Sequence, residues 1–210
     1  MGATLDFYFD YGSPASYLAW TQVPGIARRT GASVNFCPIL LGGVFQATGN
    51  RPPGEVRAKA AWMLRDLAWF AARYGVPFAW NPHFPLNTLA LMRGAMLAQR
   101  EGFLLPYSDA VFRAMWVEQR NMADPDVVSR VLAAAGLDAP RVLAATQEPE
   151  IKQALRAATE AAVARGVFGA PTFFVGEHMH FGQDRLPYVE ELLGAAGGQP
   201  PPSGQGGKPS

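Results

Sequence analysis

The 210-residue chain contains one cysteine, Cys37, which excludes both an internal disulfide framework and a Cys-x-x-Cys redox centre. A lone thiol also suits a reducing compartment. Charge is sparse and balanced: 18 Lys and Arg stand against 17 Asp and Glu, so no global field draws the chain to nucleic acid or to an acidic surface. Long apolar runs are missing as well. Arg, Asp, Gln or Pro interrupts each one well short of the roughly 20 residues that a bilayer span needs. The opening Met1-Gly2-Ala3-Thr4-Leu5-Asp6 has neither the basic and apolar regions of a secretory leader nor the Ser or Thr of a myristoylation signal. The expectation is a soluble cytoplasmic protein with no nucleic-acid or membrane partner.

What is present points to a globular enzyme. Apolar residues make up 49% of the chain and charged residues 17%, enough for a substantial core in one domain or in one domain with a large insertion. Leu5–Phe9 reads as a buried strand, and Asp10-Tyr11-Gly12-Ser13 as a tight connection. Ser13-Pro14 then starts a helix, with Ser as N-cap and Pro at the first position, where its missing N–H costs nothing. Pro24 is expected to kink or end that helix early. Ser33–Ile39 is a second strand, giving β-α-β with a right-handed crossover and parallel strands.

Helical patterns fill the middle: Glu55–Tyr74, then starts near Asn87, near Ser108 and at Asp124-Pro125, and a long helix over Glu150–Arg165 closed by Gly166. The period then returns to that of strands in Pro171–Val175 and His178–Phe181, a hairpin around Gly176-Glu177. Asp184 is expected to cap a final helix through Leu193. The order predicts an α/β fold: a thioredoxin-like domain, β-α-β…β-β-α, carrying a large all-helical inserted domain. The expected boundaries are 1–48 and 166–196 for the thioredoxin-like domain, 49–165 for the insertion and 197–210 for a Gly/Pro-rich disordered tail.

Three segments carry candidate chemistry. Ser13 sits where a helix N-terminus offers unpaired N–H groups and roughly half a positive charge, favouring an anion such as a thiolate. It can equally be a plain N-cap. Gly169-Ala170-Pro171-Thr172 precedes a strand, where a cis proline would expose the N–H and C=O of Ala170 for an added peptide strand. An ordinary Pro-containing turn is the alternative. Phe181-Gly182-Gln183-Asp184 could receive the paired charges of a γ-glutamyl group at a helix start, or Asp184 could be only a cap. His178 and His180 share a strand face but lack a third ligand, so no metal site is expected. Cys37 reads as buried and inert. Trp62, Trp69, Trp80 and Trp116 read as packing of the helical segment, with the lining of an aromatic substrate cleft as the alternative for some of them.

Asp6–Asp10 with Ser13–Leu18, Gly49–Gly54, Gly75–Phe78, Phe84–Leu89, Gly166–Phe173 and Phe181–Leu186, in this order, resemble the 2-hydroxychromene-2-carboxylate isomerases. The kappa-class glutathione transferases are similar at the same positions. The resemblance implies glutathione as cofactor, with Ser13 against its sulfur, Ala170 pairing with its backbone, and Phe181, Gly182, Gln183 and Asp184 around its γ-glutamyl end. Asn50 and Lys59 are implied as further glutathione contacts, and Asn87, otherwise a plain N-cap, as a neighbour of a small aromatic substrate; His83, from its place in the loop Pro82–Pro85, could line the same pocket. The implied activity is glutathione-dependent cis–trans isomerisation, with transfer of glutathione to an acceptor as one alternative and a binding module without catalysis as another. A homodimer is also implied. Those isomerases often carry a lysine in the loop after the second strand, and Leu40–Phe45 has none.

Overall fold

The computed structural model describes residues 2–196, so the expected disordered tail lies outside the described residues. The chain runs β1 (Thr4–Phe9), α1 (Pro14–Thr30), β2 (Ser33–Pro38), α2 (Leu41–Thr48), a short 3-10 turn (Pro53–Glu55) and α3 (Arg57–Tyr74). It continues through α4 (Leu89–Arg100), α5 (Leu104–Trp116), α6 (Pro125–Ala134), α7 (Ala139–Ala145) and α8 (Pro149–Ala164). The end is β3 (Thr172–Val175), β4 (His178–Phe181), a 3-10 turn (Gln183–Arg185) and α9 (Leu186–Ala196). The four strands form one sheet in the order β2-β1-β3-β4. β1 and β2 are parallel; β1 with β3, and β3 with β4, are antiparallel. This is the mixed sheet of a thioredoxin-like fold, with a large all-helical insertion between β2 and β3. No helix among the described residues is long and apolar enough to cross a membrane.

Alternation along β1 sends Leu5, Phe7 and Phe9 to one face, all fully buried. There Phe7 stacks on Phe173 at 5.1 Å between ring centroids, and Phe9 meets Trp20 of α1 at 5.5 Å and Phe112 of α5 at 5.9 Å. Each such pair adds about 0.5–1.5 kcal/mol beyond its area burial. One apolar cluster thus runs from the sheet into the inserted helices, reaching Leu91, Met115 and Trp116. The opposite face is smaller: Phe174, with Ile39, Val44, Ala162 and Val167, sits under α8.

Several sequence expectations are corrected. α1 does not end at Pro24 but continues to Thr30. Leu18, Val23 and Ile26 are buried on either side of that proline, each contributing about 1.5–3 kcal/mol, against about 3 kcal/mol for an internal proline. α5 starts at Leu104, four residues ahead of Ser108, because Pro106 falls in the first turn, where the N–H it lacks has no intrahelical partner. The expected loop at Leu40–Phe45 is mostly helix α2. Leu40 N–H donates to Thr159 Oγ1 at 3.0 Å, and a Cβ on Gly43 would meet Thr159 Cγ2 at 3.2 Å, so the glycine lets α8 approach. Asp184 does not cap the last helix; it lies inside the 3-10 turn that precedes α9. Trp116 is fully buried and Trp80 partly so, but Trp62 and Trp69 are 60% and 55% exposed, since α3 buries only Leu67 and Ala71.

Candidate functional site

Ser13 is the N-cap of α1 in an extended conformation, and its Oγ accepts the Ser16 N–H at 3.1 Å. Tyr17 N–H goes to the Ser13 carbonyl at 3.1 Å and Pro14 has no N–H. Among the described residues this leaves the Ala15 N–H as the unpaired donor at this helix end, where the dipole favours an anion. The Ser13 hydroxyl proton points across to the Ala170 carbonyl at 2.9 Å, and Ser13 is 5% exposed. The Ala170–Pro171 peptide is cis. The fold therefore joins two candidates 157 residues apart, and it occupies the Ala170 carbonyl that the sequence reading left exposed.

Asp10, which the sequence reading passed over, organises the turn beneath Ser13. It is 1% exposed. Oδ1 accepts Gly12 N–H at 2.8 Å, Oδ2 accepts Leu41 N–H at 2.8 Å, and the Thr88 hydroxyl lies close enough to favour the carboxylate. Gly12 precedes α1, Leu41 opens α2 and Thr88 is the N-cap of α4, so three helix starts converge on one carboxylate. Burial raises its pKa even though these donors pull it down. Asp at the head of a turn was the available signal, since its side chain bonds the backbone two residues on. Ser16, where a second redox cysteine would stand, has a buried Oγ with no partner.

Past β4, Gly182 takes φ 101°, a value that a side chain rarely adopts, and its N–H bonds the Pro171 carbonyl at 3.0 Å. Phe181 packs on Phe168 with centroids 4.7 Å apart. The Gln183 carbonyl accepts the Tyr74 hydroxyl at 3.0 Å. Burial, followed by the Asp184 carboxylate, raises that phenol to about 12. Asp66, on the same helix as Tyr74, also has its pKa raised, by burial first and by Asp184 second. Asp184 itself is exposed. Asn50 donates from Nδ2 to the Phe168 carbonyl at 2.8 Å, two residues from Ala170, and Lys59 is exposed early in α3.

The remaining candidates scatter. Asn87 Oδ1 accepts Leu89 N–H at 3.0 Å at the start of α4, next to Thr88. His83 instead lines a cavity of about 780 Å³ with Arg113, Gln119, Arg130 and Val131. Neither that cavity nor a second of about 340 Å³ beside Trp20 and Pro24 is lined by Ser13 or Ala170. Among the described residues no group of three His, Cys, Asp or Glu is placed to hold a metal. His180 has its pKa lowered, by burial first and by His178 and Arg185 after it.

Burial, with Asp6 adding to it, pushes the Cys37 thiol to about 12. At pH 8 its thiolate is then scarcer by about a thousandfold than that of a thiol at the ordinary 9.0, and labelling by an aromatic disulfide should slow in proportion. A rate within tenfold of free cysteine would refute this.

Comparison with known proteins agrees with this geometry. The family described as DSBA-like thioredoxin domain matches residues 4–194. The 2-hydroxychromene-2-carboxylate isomerase of Sphingobium xenophagum is 33% identical over 195 residues, covering 92% of this chain and 99% of its own. Human glutathione S-transferase kappa 1 is 27% identical, with 91% of each chain covered. A solved structure of 2-hydroxychromene-2-carboxylate isomerase superposes with a TM-score of 0.83 at 28% identity, covering 91% of this chain and 94% of that one. With a thioredoxin-like sheet, a serine at the head of the first helix and this similarity along nearly its whole length, the chain belongs to the DSBA-like family of thioredoxin domains and to that of the 2-hydroxychromene-2-carboxylate isomerases, with kappa-class glutathione transferases among its relatives.

Proposed function

We propose that the protein is a glutathione-dependent cis–trans isomerase of 2-hydroxychromene-2-carboxylate-type aromatic keto-acids. The observation that carries the reading is the pairing of Ser13, at the positive end of α1, with Ala170 ahead of a cis proline, in a chain that has serine at both positions of a redox pair. The isomerase names of the relatives support it. When bound, glutathione supplies a thiolate that adds reversibly to the conjugated double bond, which turns as a single bond and is restored when the thiolate leaves.

The chain's own part is to hold and orient. The Ala15 N–H and the Ser13 hydroxyl face the sulfur, and the α1 dipole stabilises negative charge there. Ala170 pairs with the cysteinyl backbone as a short added strand. Phe181, Gly182 and Gln183 receive the γ-glutamyl carboxylate end, and the exposed Asp184 takes its ammonium. Asn50 and Lys59 complete the glutathione contacts. The substrate lies where the sheet-bearing segments 1–48 and 166–196 meet the insertion 49–165, a junction of the kind where clefts form, with Asn87 on the insertion side.

The kappa-class relative favours transfer as the second reading. Two assays separate the readings: conversion of 2-hydroxychromene-2-carboxylate with catalytic glutathione, and glutathione consumption with a chlorinated aromatic acceptor. The expected result is conversion without consumption. Stoichiometric consumption would favour the transferase, and no calorimetric binding of glutathione would leave only a binding module.

A further inference from the structure

The Ser13 hydroxyl has a single proton, and in the protein alone that proton is already committed. Its oxygen accepts the Ser16 N–H, and its proton goes to the Ala170 carbonyl. The neighbouring carbonyls are held in the same way: Phe168 by Asn50 Nδ2 at 2.8 Å and Gly169 by the Thr172 hydroxyl at 2.8 Å. Three successive carbonyls of the 168–170 segment are thus each bound by a side-chain donor. Only the donor on Ala170 is also needed at a ligand sulfur.

We infer that Ser13 is an exchangeable donor, released to a thiol ligand only when that ligand brings a backbone N–H to the Ala170 carbonyl. The inference rests on the glutathione reading of the site and adds a selection rule: the site acidifies peptide thiols, and simple thiols far less. Turning the hydroxyl toward a thiolate makes a charge-assisted hydrogen bond, stronger than the neutral one it leaves. The move also strips a partly buried carbonyl of its donor, and that loss opposes the gain. A cysteinyl N–H placed on the carbonyl removes the loss. A thiol without that N–H bears it in full, so its sulfur keeps its own proton to higher pH. In the acidified case the thiol proton passes to the buffer, and Ser13 stays neutral throughout. The carbonyl can accept two bonds, so the incoming N–H need not wait for Ser13 to leave; the exchange follows from Ser13 having one proton to give.

Two ligands isolate the N–H. N-acetylcysteinylglycine has it, and 3-mercaptopropionylglycine lacks the nitrogen that bears it. The ultraviolet absorbance of the thiolate, titrated against pH with the intact protein saturated by each ligand in turn, reads the bound thiol pKa. Relative to its own free thiol in solution, the amide-bearing thiol is expected to be acidified by about one pKa unit more, about tenfold in thiolate fraction, than the other. In Ser13→Ala the gap between the two should close, because neither ligand then gains the hydroxyl. Equal acidification in the unaltered protein, or a gap that survives in Ser13→Ala, overturns the exchange while leaving the glutathione site standing. Glutathione that binds without any acidification, or does not bind, overturns both.

Discussion

Ser13→Ala is expected to lower isomerase turnover by about two to three orders of magnitude, the loss typical when one preorganised donor to a developing anion is removed. Glutathione affinity should fall by much less, about fivefold, because Ala170 and the Phe181–Asp184 arm hold the peptide independently of the sulfur. Stability should drop by about 1 kcal/mol, since the same oxygen caps α1 through Ser16. Steady-state turnover, calorimetric affinity and denaturant unfolding separate these three effects. Unchanged turnover would remove Ser13 from the mechanism, whatever happened to stability.

The second large effect belongs to Asp10. Asp10→Ala leaves the Gly12 and Leu41 N–H groups without their acceptor. At about 1–3 kcal/mol for each unsatisfied donor, the expected loss is about 2–6 kcal/mol. That is a large share of the roughly 5–15 kcal/mol that holds a domain folded. Asp10→Asn should fall between the two, because its amide can accept only one of these bonds and presents a donor to the other. Ser13 should lose its place as well, since its N–H is tied to the Asp10 carbonyl at 3.0 Å and the turn is shaped by the carboxylate. Urea titration of both variants tests this, and a loss below about 1 kcal/mol for the alanine would show that the three helix starts do not depend on Asp10.

Much of the fold was readable because the informative signals were local. The Ser13-Pro14 and Asp124-Pro125 starts, the Gly166 stop and the Gly176-Glu177 hairpin each depend on backbone chemistry within a few residues, and each holds. The misses share one cause. Pro24, the two glycines of α2 and Pro106 all argue against helix locally, and packing or position within the first turn overrides them. The outward tryptophans Trp62 and Trp69 fail for the reverse reason: helical spacing says that a face exists, and nothing in the spacing says what covers it.

For the candidate site, the sequence by itself determined the chemistry available. It has no redox pair, a serine at the mouth of the first helix, a proline before the third strand, and an acidic turn before the last helix. Only the tertiary structure decided what meets what. It carried Ala170 across 157 residues to the Ser13 hydroxyl and gathered three helix starts on Asp10, while setting His83 in a cleft lined by arginines. The physical reason is range. Capping and turn chemistry act over a few residues and are written in neighbouring side chains. Contacts between distant segments are set by how the sheet and the inserted helices bury their apolar faces together, and no local window contains that information.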